Sequence, residues 1–167
     1  MTLSMIFLTV LLGVGATIVM DVWALILKLA GQPTLNFSLV GRWVGHMANG
    51  QFIHRPSIAQ KEQIPAENAL GWGVHYATGI IFAFIFVFLF GETWFTSPIL
   101  WPALFFCVIT VAAPYFIMQP AMGAGIAASR TPNPNKARLM SLLSHSVFGV
   151  GLYLTALVLQ LLLIYFL

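Results

Sequence analysis

The stretch LSMIFLTVLLGVGATIVMDVWALILKL, residues 3–29, decides the class of this chain, because Asp21 and Lys28 are its only charged residues. A bilayer's hydrocarbon core is roughly 30 Å thick and needs about 20 helical residues to cross. Residues 3–29 are long enough. Lipid offers no partner for an unpaired backbone amide, and the Leu, Ile and Val runs lack the alternation of a barrel strand, so the stretch must be helical. Three more stretches of the same kind follow, at approximately residues 69–90, 99–122 and 139–167.

Composition agrees. Of 167 residues, 60% are hydrophobic and 7% charged, with a mean hydropathy of +0.95. A soluble globule carries about 25% charged residues. The expected fold is therefore all-α: a single integral membrane four-helix bundle, with the lipid bilayer as its first partner. The first stretch is read as a retained helix and not a secretion signal, since no Lys or Arg precedes Lys28 and its apolar run exceeds the 7 to 15 residues of a signal core.

The seven basic residues fix the expected orientation. Lys28, Arg42, Arg55 and Lys61 lie between the first and second spans, and Arg130, Lys136 and Arg138 lie between the third and fourth. Basic residues near helix ends stay in the cytoplasm, which places both loops inside and both termini outside. The pI of about 9.4 then reflects topology, and no nucleic-acid partner is implied.

Between the first two spans, Leu39, Val40, Trp43, Val44 and Met47 recur at helical spacing, with Arg42 and His46 off that stripe. This pattern predicts a short interfacial helix in the first cytoplasmic loop. The Gly-rich segment Gly123 to Pro134 matches no nucleotide-binding spacing and reads as a connector, with Asn133 capping a helix that has Pro134 at its first position. Cys107 is alone and reads as a small buried apolar side chain. Trp23, Trp43, Trp72, Trp94 and Trp101 fall near expected helix ends, as an aromatic belt would. His46 and His54 read as solvated or headgroup-facing loop residues without a carboxylate or thiol at metal-ligand spacing.

The chemistry is expected inside the spans. Asp21, His75 and His145 interrupt otherwise uncharged runs, and a carboxylate near the bilayer centre costs about 2.5 to 3.5 kcal/mol on insertion scales. At about 1.5 Å of rise per residue, each lies roughly 10 to 12 Å outward from the same inner boundary. Gln119 lies slightly shallower. Gly13, Thr17 and Asp21 share one helix face, as do Gly71, His75 and Gly79, and Ser141, His145, Gly149 and Tyr153. Small residues let helices approach closely, so these rails are expected to face inward and carry Asp21, His75 and His145 into one cluster. The rails around His75 and His145 also match each other, suggesting two parallel-repeated helical hairpins.

Such a cluster has several uses. Two imidazoles and a carboxylate form the ligand set of a zinc or iron site with open positions. Because His titrates near neutrality, the same groups suit a proton relay. Paired histidines also ligate haem, though that needs a wide apolar slot. The alternative is packing: interhelical hydrogen bonds in membranes average only about 0.6 kcal/mol and can simply fix register. The readings that stand are a protein handling a small ligand, ion or proton at Asp21, Thr17, His75, Gln119 and His145, a metal- or haem-binding enzyme, and a structural or assembly subunit of a membrane complex. The Gly149 to Tyr153 rail could equally serve a homodimer.

Three stretches carry a resemblance: Gly15 to Trp23, Val40 to Met47, and Met118 to Pro134. They resemble a bacterial inner-membrane family of small four-helix proteins catalogued as a domain of unknown function. The resemblance implies a polytopic membrane protein and supplies no activity.

Overall fold

The computed structural model describes residues 2–166, with side chains described through Leu162. Among these residues the fold is all-α. Helix α1 spans Leu3–Leu29, α2 Phe37–Met47, α3 Glu67–Phe90, α4 Leu100–Ala121 and α5 Pro134–Phe166. All but α2 are long and apolar enough to cross a membrane. The boundaries follow local chemistry. Thr2 caps α1 by accepting from the Met5 amide, and Lys28 sits in its last turn, where a cation complements the helix dipole. Asn36 caps α2 by accepting from Ser38, and Asn133 accepts from the Lys136 amide ahead of α5. The fourth span begins at Pro134, five residues before the expected start, because the capped turn extends the helix into the basic loop.

Helix α4 is not uniform. Pro114 has no amide hydrogen, and residues Pro114–Met118 form a π-turn in which the Gln119 amide reaches back to the Pro114 carbonyl. Hydropathy alone gave no sign of this turn.

The chain folds as two compact units, residues 1–33, 76–109 and 144–167 forming one and residues 34–75 and 110–143 the other. In the first unit the packed interior is made largely of small or medium side chains, including Ala16, Ala83, Ala103, Cys107 and Ala156, which are all 0% exposed. Aromatic side chains divide between interior and surface: Phe86, Phe95, Phe106 and Phe148 are buried in the core, while Phe88 is 85% exposed, Trp101 75% and Phe105 67%. That arrangement suits lipid as the surrounding solvent, because helix association there depends on close backbone packing and not on hiding leucines from water. Glycines mark the closest approaches. A Cβ on Gly13 would stand 2.6 Å from Ile80 Cα, one on Gly151 2.8 Å from the Ala16 carbonyl, and one on Gly149 2.9 Å from the Ala103 carbonyl. The inward-facing rails through Gly13, Gly79 and Gly149 are thus present.

Trp94 departs from its expected belt position. It is 6% exposed, packs edge-on against Phe86 at 4.7 Å and donates its indole N–H to the Ile99 carbonyl at 3.2 Å. A short 3₁₀ turn at Glu92–Phe95 folds the ring back into the core.

The second unit holds α2 and the loop segments. Here Gly41 and Gly71 bring α2 and the start of α3 together backbone to backbone: a Cβ on Gly41 would stand 2.7 Å from the Gly71 amide nitrogen. Val40, Ile58 and Met122 form a small core. The segment after α2 docks on the end of α4 through main-chain bonds, His54 N–H to the Ala121 carbonyl at 2.8 Å and Ile58 N–H to the Met122 carbonyl at 3.0 Å. Gly123, at φ +94°, permits this docking, since a side chain there would meet the Pro56 carbonyl and the Ser57 Cα.

Candidate functional site

In the first unit the polar centre is built by the closest crossing of α1 and α3. Gly13, Thr17 and Asp21 rise along one face of α1 at one-turn intervals. Thr17 is 1% exposed and its hydroxyl is turned back to the Gly13 carbonyl at 2.8 Å, which satisfies it within its own helix and keeps the crossing thin. Opposite stands Gly79, whose missing side chain leaves the room that Thr17 fills. One turn earlier on α3, Tyr76 directs its phenol at Asp21 and donates to Oδ2 at 2.8 Å. The carboxylate is half-buried and held by a phenol from the neighbouring helix.

Sequence reasoning missed Tyr76. Its signal was present, since residues 76 and 79 are three apart and share a helix face, but the small-residue rail directed attention to His75.

Each of the other expected site residues meets aromatic or polar neighbours within its own unit. His75, in the second unit, stacks on Phe37 with ring centres 4.4 Å apart and lies edge-on to Trp72 at 5.8 Å. His145, in the first unit, sits 6.4 Å from the Phe82 ring and hydrogen-bonds the backbone of Cys107, which is buried as expected. Gln119, in the second unit, donates through Nε2 to Ser141 Oγ at 3.3 Å, while its Oε1 is buried with no hydrogen-bond partner among the described residues. Next to it the Tyr115 phenol donates to the Arg138 carbonyl at 2.6 Å. Among the described residues no three His, Cys, Asp or Glu side chains gather to hold a metal ion.

Two loop expectations are corrected. Arg42, read as part of a polar flank, is 6% exposed. Its Nε and second terminal nitrogen donate to the two oxygens of Glu67, each at 2.8 Å, and its remaining nitrogen donates to the carbonyls of Ala59 at 3.2 Å and Lys61 at 3.1 Å. This fork-to-fork pairing satisfies the guanidinium's directional donors, which is what allows its burial. The hydrogen bonds it donates to Glu67 strengthen the hold of Arg42 on its proton, against the opposing effect of burial.

His54, read as solvated, is 1% exposed. Burial pushes its imidazole below the ordinary value, and the neighbouring His46 and Lys61 act in the same direction, against a hydrogen bond with the Gln51 backbone. The docking of residues 54–58 on the end of α4 is a long-range event with no periodic signature, which is why the sequence placed His54 in solvent.

No curated protein and no solved structure matches this chain. A family model described as a protein of unknown function, DUF2938, matches residues 10–159, and the chain belongs to that family.

Proposed function

We propose that this multi-pass protein handles a proton, ion or other small polar ligand within the membrane, with Asp21 as the working group. The observation that carries the reading is the 2.8 Å bond from Tyr76 to Asp21 on two helices long and apolar enough to span a membrane. Intramembrane carboxylates are costly and usually serve a task. A carboxylate offers acceptor lone pairs, and a phenol is a donor that can release them, so the pair suits a proton or a small cation better than an anion. In this reading Tyr76 occupies Asp21 while the cargo is away, and the cargo competes with the phenol for the carboxylate. Thr17 and Gly79 keep the two helices close enough for the exchange. His145, His75 and Gln119 are secondary candidates for the same chemistry.

The distribution of Lys and Arg supports a cytoplasmic placement of the two basic loops in a bacterial inner membrane, with both termini outside. Modification by a membrane-permeant carbodiimide tests the reading. A working carboxyl becomes labelled at Asp21 and is protected by rising concentrations of the cation it carries, read by mass spectrometry of the purified protein. An unlabelled Asp21, or labelling that no cation or pH change affects, contradicts the proposal.

A further inference from the structure

The second unit brings together two histidines to which the proposed function gives no role. His46 lies on α2 and His54 in the segment docked on α4, and their rings stand 5.5 Å apart, centre to centre, at 66°. Each ring has one nitrogen committed to a backbone carbonyl. His46 Nε2 lies 3.0 Å from the Glu62 carbonyl, which can only accept, so that nitrogen carries the hydrogen and Nδ1 keeps a lone pair. In His54 the bond is to the Gln51 carbonyl, while Nε2 is buried with no hydrogen-bond partner among the described residues. Nδ1 is then the donor, and the lone pair remains on Nε2.

A ring N–H given to a backbone carbonyl is the usual support of a metal-ligating histidine, because it fixes tautomer and orientation. Spacing agrees. A ring nitrogen lies about 1.1 Å from its ring centre and a bound metal about 2.0–2.1 Å from the nitrogen, so the metal stands about 3.2 Å from each centre. Two centres 5.5 Å apart then subtend about 120° at the metal, between tetrahedral and trigonal. An open cleft of about 540 Å³, lined by Gly50, Gln51, Phe52, Ile53, His54 and Lys61, reaches the His54 side of the pair.

We infer that His46 and His54 form a two-imidazole site for a late first-row transition ion, zinc or copper, whose remaining positions are filled by water or an incoming ligand. Imidazole suits these ions, and the Irving–Williams order places copper tightest. Two imidazole nitrogens select against magnesium, which is held by oxygen ligands. This site is independent of Asp21.

The test uses full-length protein in detergent, purified on a tag without histidines and stripped with chelator. Calorimetry with Zn²⁺, Cu²⁺ and Mg²⁺ is expected to show one Zn²⁺ or Cu²⁺ per chain and no Mg²⁺. His46→Gln and His54→Gln are each expected to weaken binding by at least about tenfold. Asp21→Asn leaves binding unchanged, which separates this inference from the proposed intramembrane function. X-ray absorption of the zinc-loaded protein should show two imidazole ligands. Absence of binding, binding that survives either histidine substitution, or one imidazole or none in the absorption spectrum overturns the inference. If His54→Gln fails to fold, the half-exposed His46→Gln and the wild-type absorption spectrum decide.

Discussion

Substituting Gly13 by Ala tests whether the α1–α3 crossing is set by backbone contact. The new Cβ would stand 2.6 Å from Ile80 Cα, 2.9 Å from the Gly79 carbonyl oxygen and 3.0 Å from the Ile80 nitrogen. Carbon pairs prefer about 3.5–4.0 Å, so the shortfall is about 1 Å. All three neighbours are backbone atoms and cannot rotate away, so the helices must separate. Overpacking of this kind costs about 1–3 kcal/mol. Ala gains about 0.5–1 kcal/mol over Gly through helix propensity, which offsets part of it. The net expectation is a loss of about 1–2 kcal/mol. A shift of about 1 Å also carries the 2.8 Å bond between Tyr76 and Asp21 beyond the usual range of about 2.5–3.0 Å. The control is Gly73→Ala, where a Cβ meets nothing within 4 Å. It is expected to leave stability unchanged or raise it by about 0.5–1 kcal/mol. Both are measured by unfolding in mixed micelles. A Gly13→Ala protein as stable as wild type, or a Gly73→Ala protein equally damaged, refutes the reasoning.

Other predictions address the second unit. Arg42→Met or Glu67→Gln alone should lower the thermal midpoint in detergent, and Arg42→Met with Glu67→Leu should recover part of the loss, because a half-broken pair is worse than none; single variants that melt like wild type contradict the buried pairing. Gly123→Ala places a Cβ at φ +94°, a strain of about 1–2 kcal/mol before its contact with Pro56 is counted, and limited tryptic cleavage after Lys61 should rise. In chelator, acid should weaken the fold through His54. Its folded-state proton affinity is depressed, while the unfolded chain titrates at about 6.5. The unfolded state therefore binds more protons below that pH. Stability from this group is complete above about pH 6.5 and is lost as the pH falls through the lower folded value. Unfolding titrations of wild type and His54→Gln, which share His46 and Lys61, should diverge over that window; parallel curves count against it.

Much of the fold was legible because lipid constrains the chain so severely. Length, hydropathy and the requirement for internal backbone bonding gave the four spans, and Leu3–Leu29 matched at both ends. Periodicity gave α2, and the Asn133–Pro134 pair gave the start of α5. The site was less legible. The small-residue rail drew the reading of α3 to Gly79 and His75, and the Tyr76 phenol that donates to Asp21 lies three residues before Gly79 without a rail of its own to mark it. Arg42 looked like a solvated flank because its partner Glu67 lies 25 positions away and only the fold joins them. His54 and Trp94 were misplaced for a similar reason: their burial depends on a docked loop and a 3₁₀ turn, neither of which leaves a repeat in the sequence.

Proton and cation flux into proteoliposomes, compared among wild type, Asp21→Asn and Tyr76→Phe, addresses the working role of Asp21 most directly. Membrane hydrogen bonds average about 0.6 kcal/mol and reach about 1.7, so both variants should stay folded. Wild type is expected to carry flux, Asp21→Asn to fall to the rate of protein-free vesicles, and Tyr76→Phe to retain flux with altered dependence on cation concentration. Equal flux in wild type and a folded Asp21→Asn protein would contradict it.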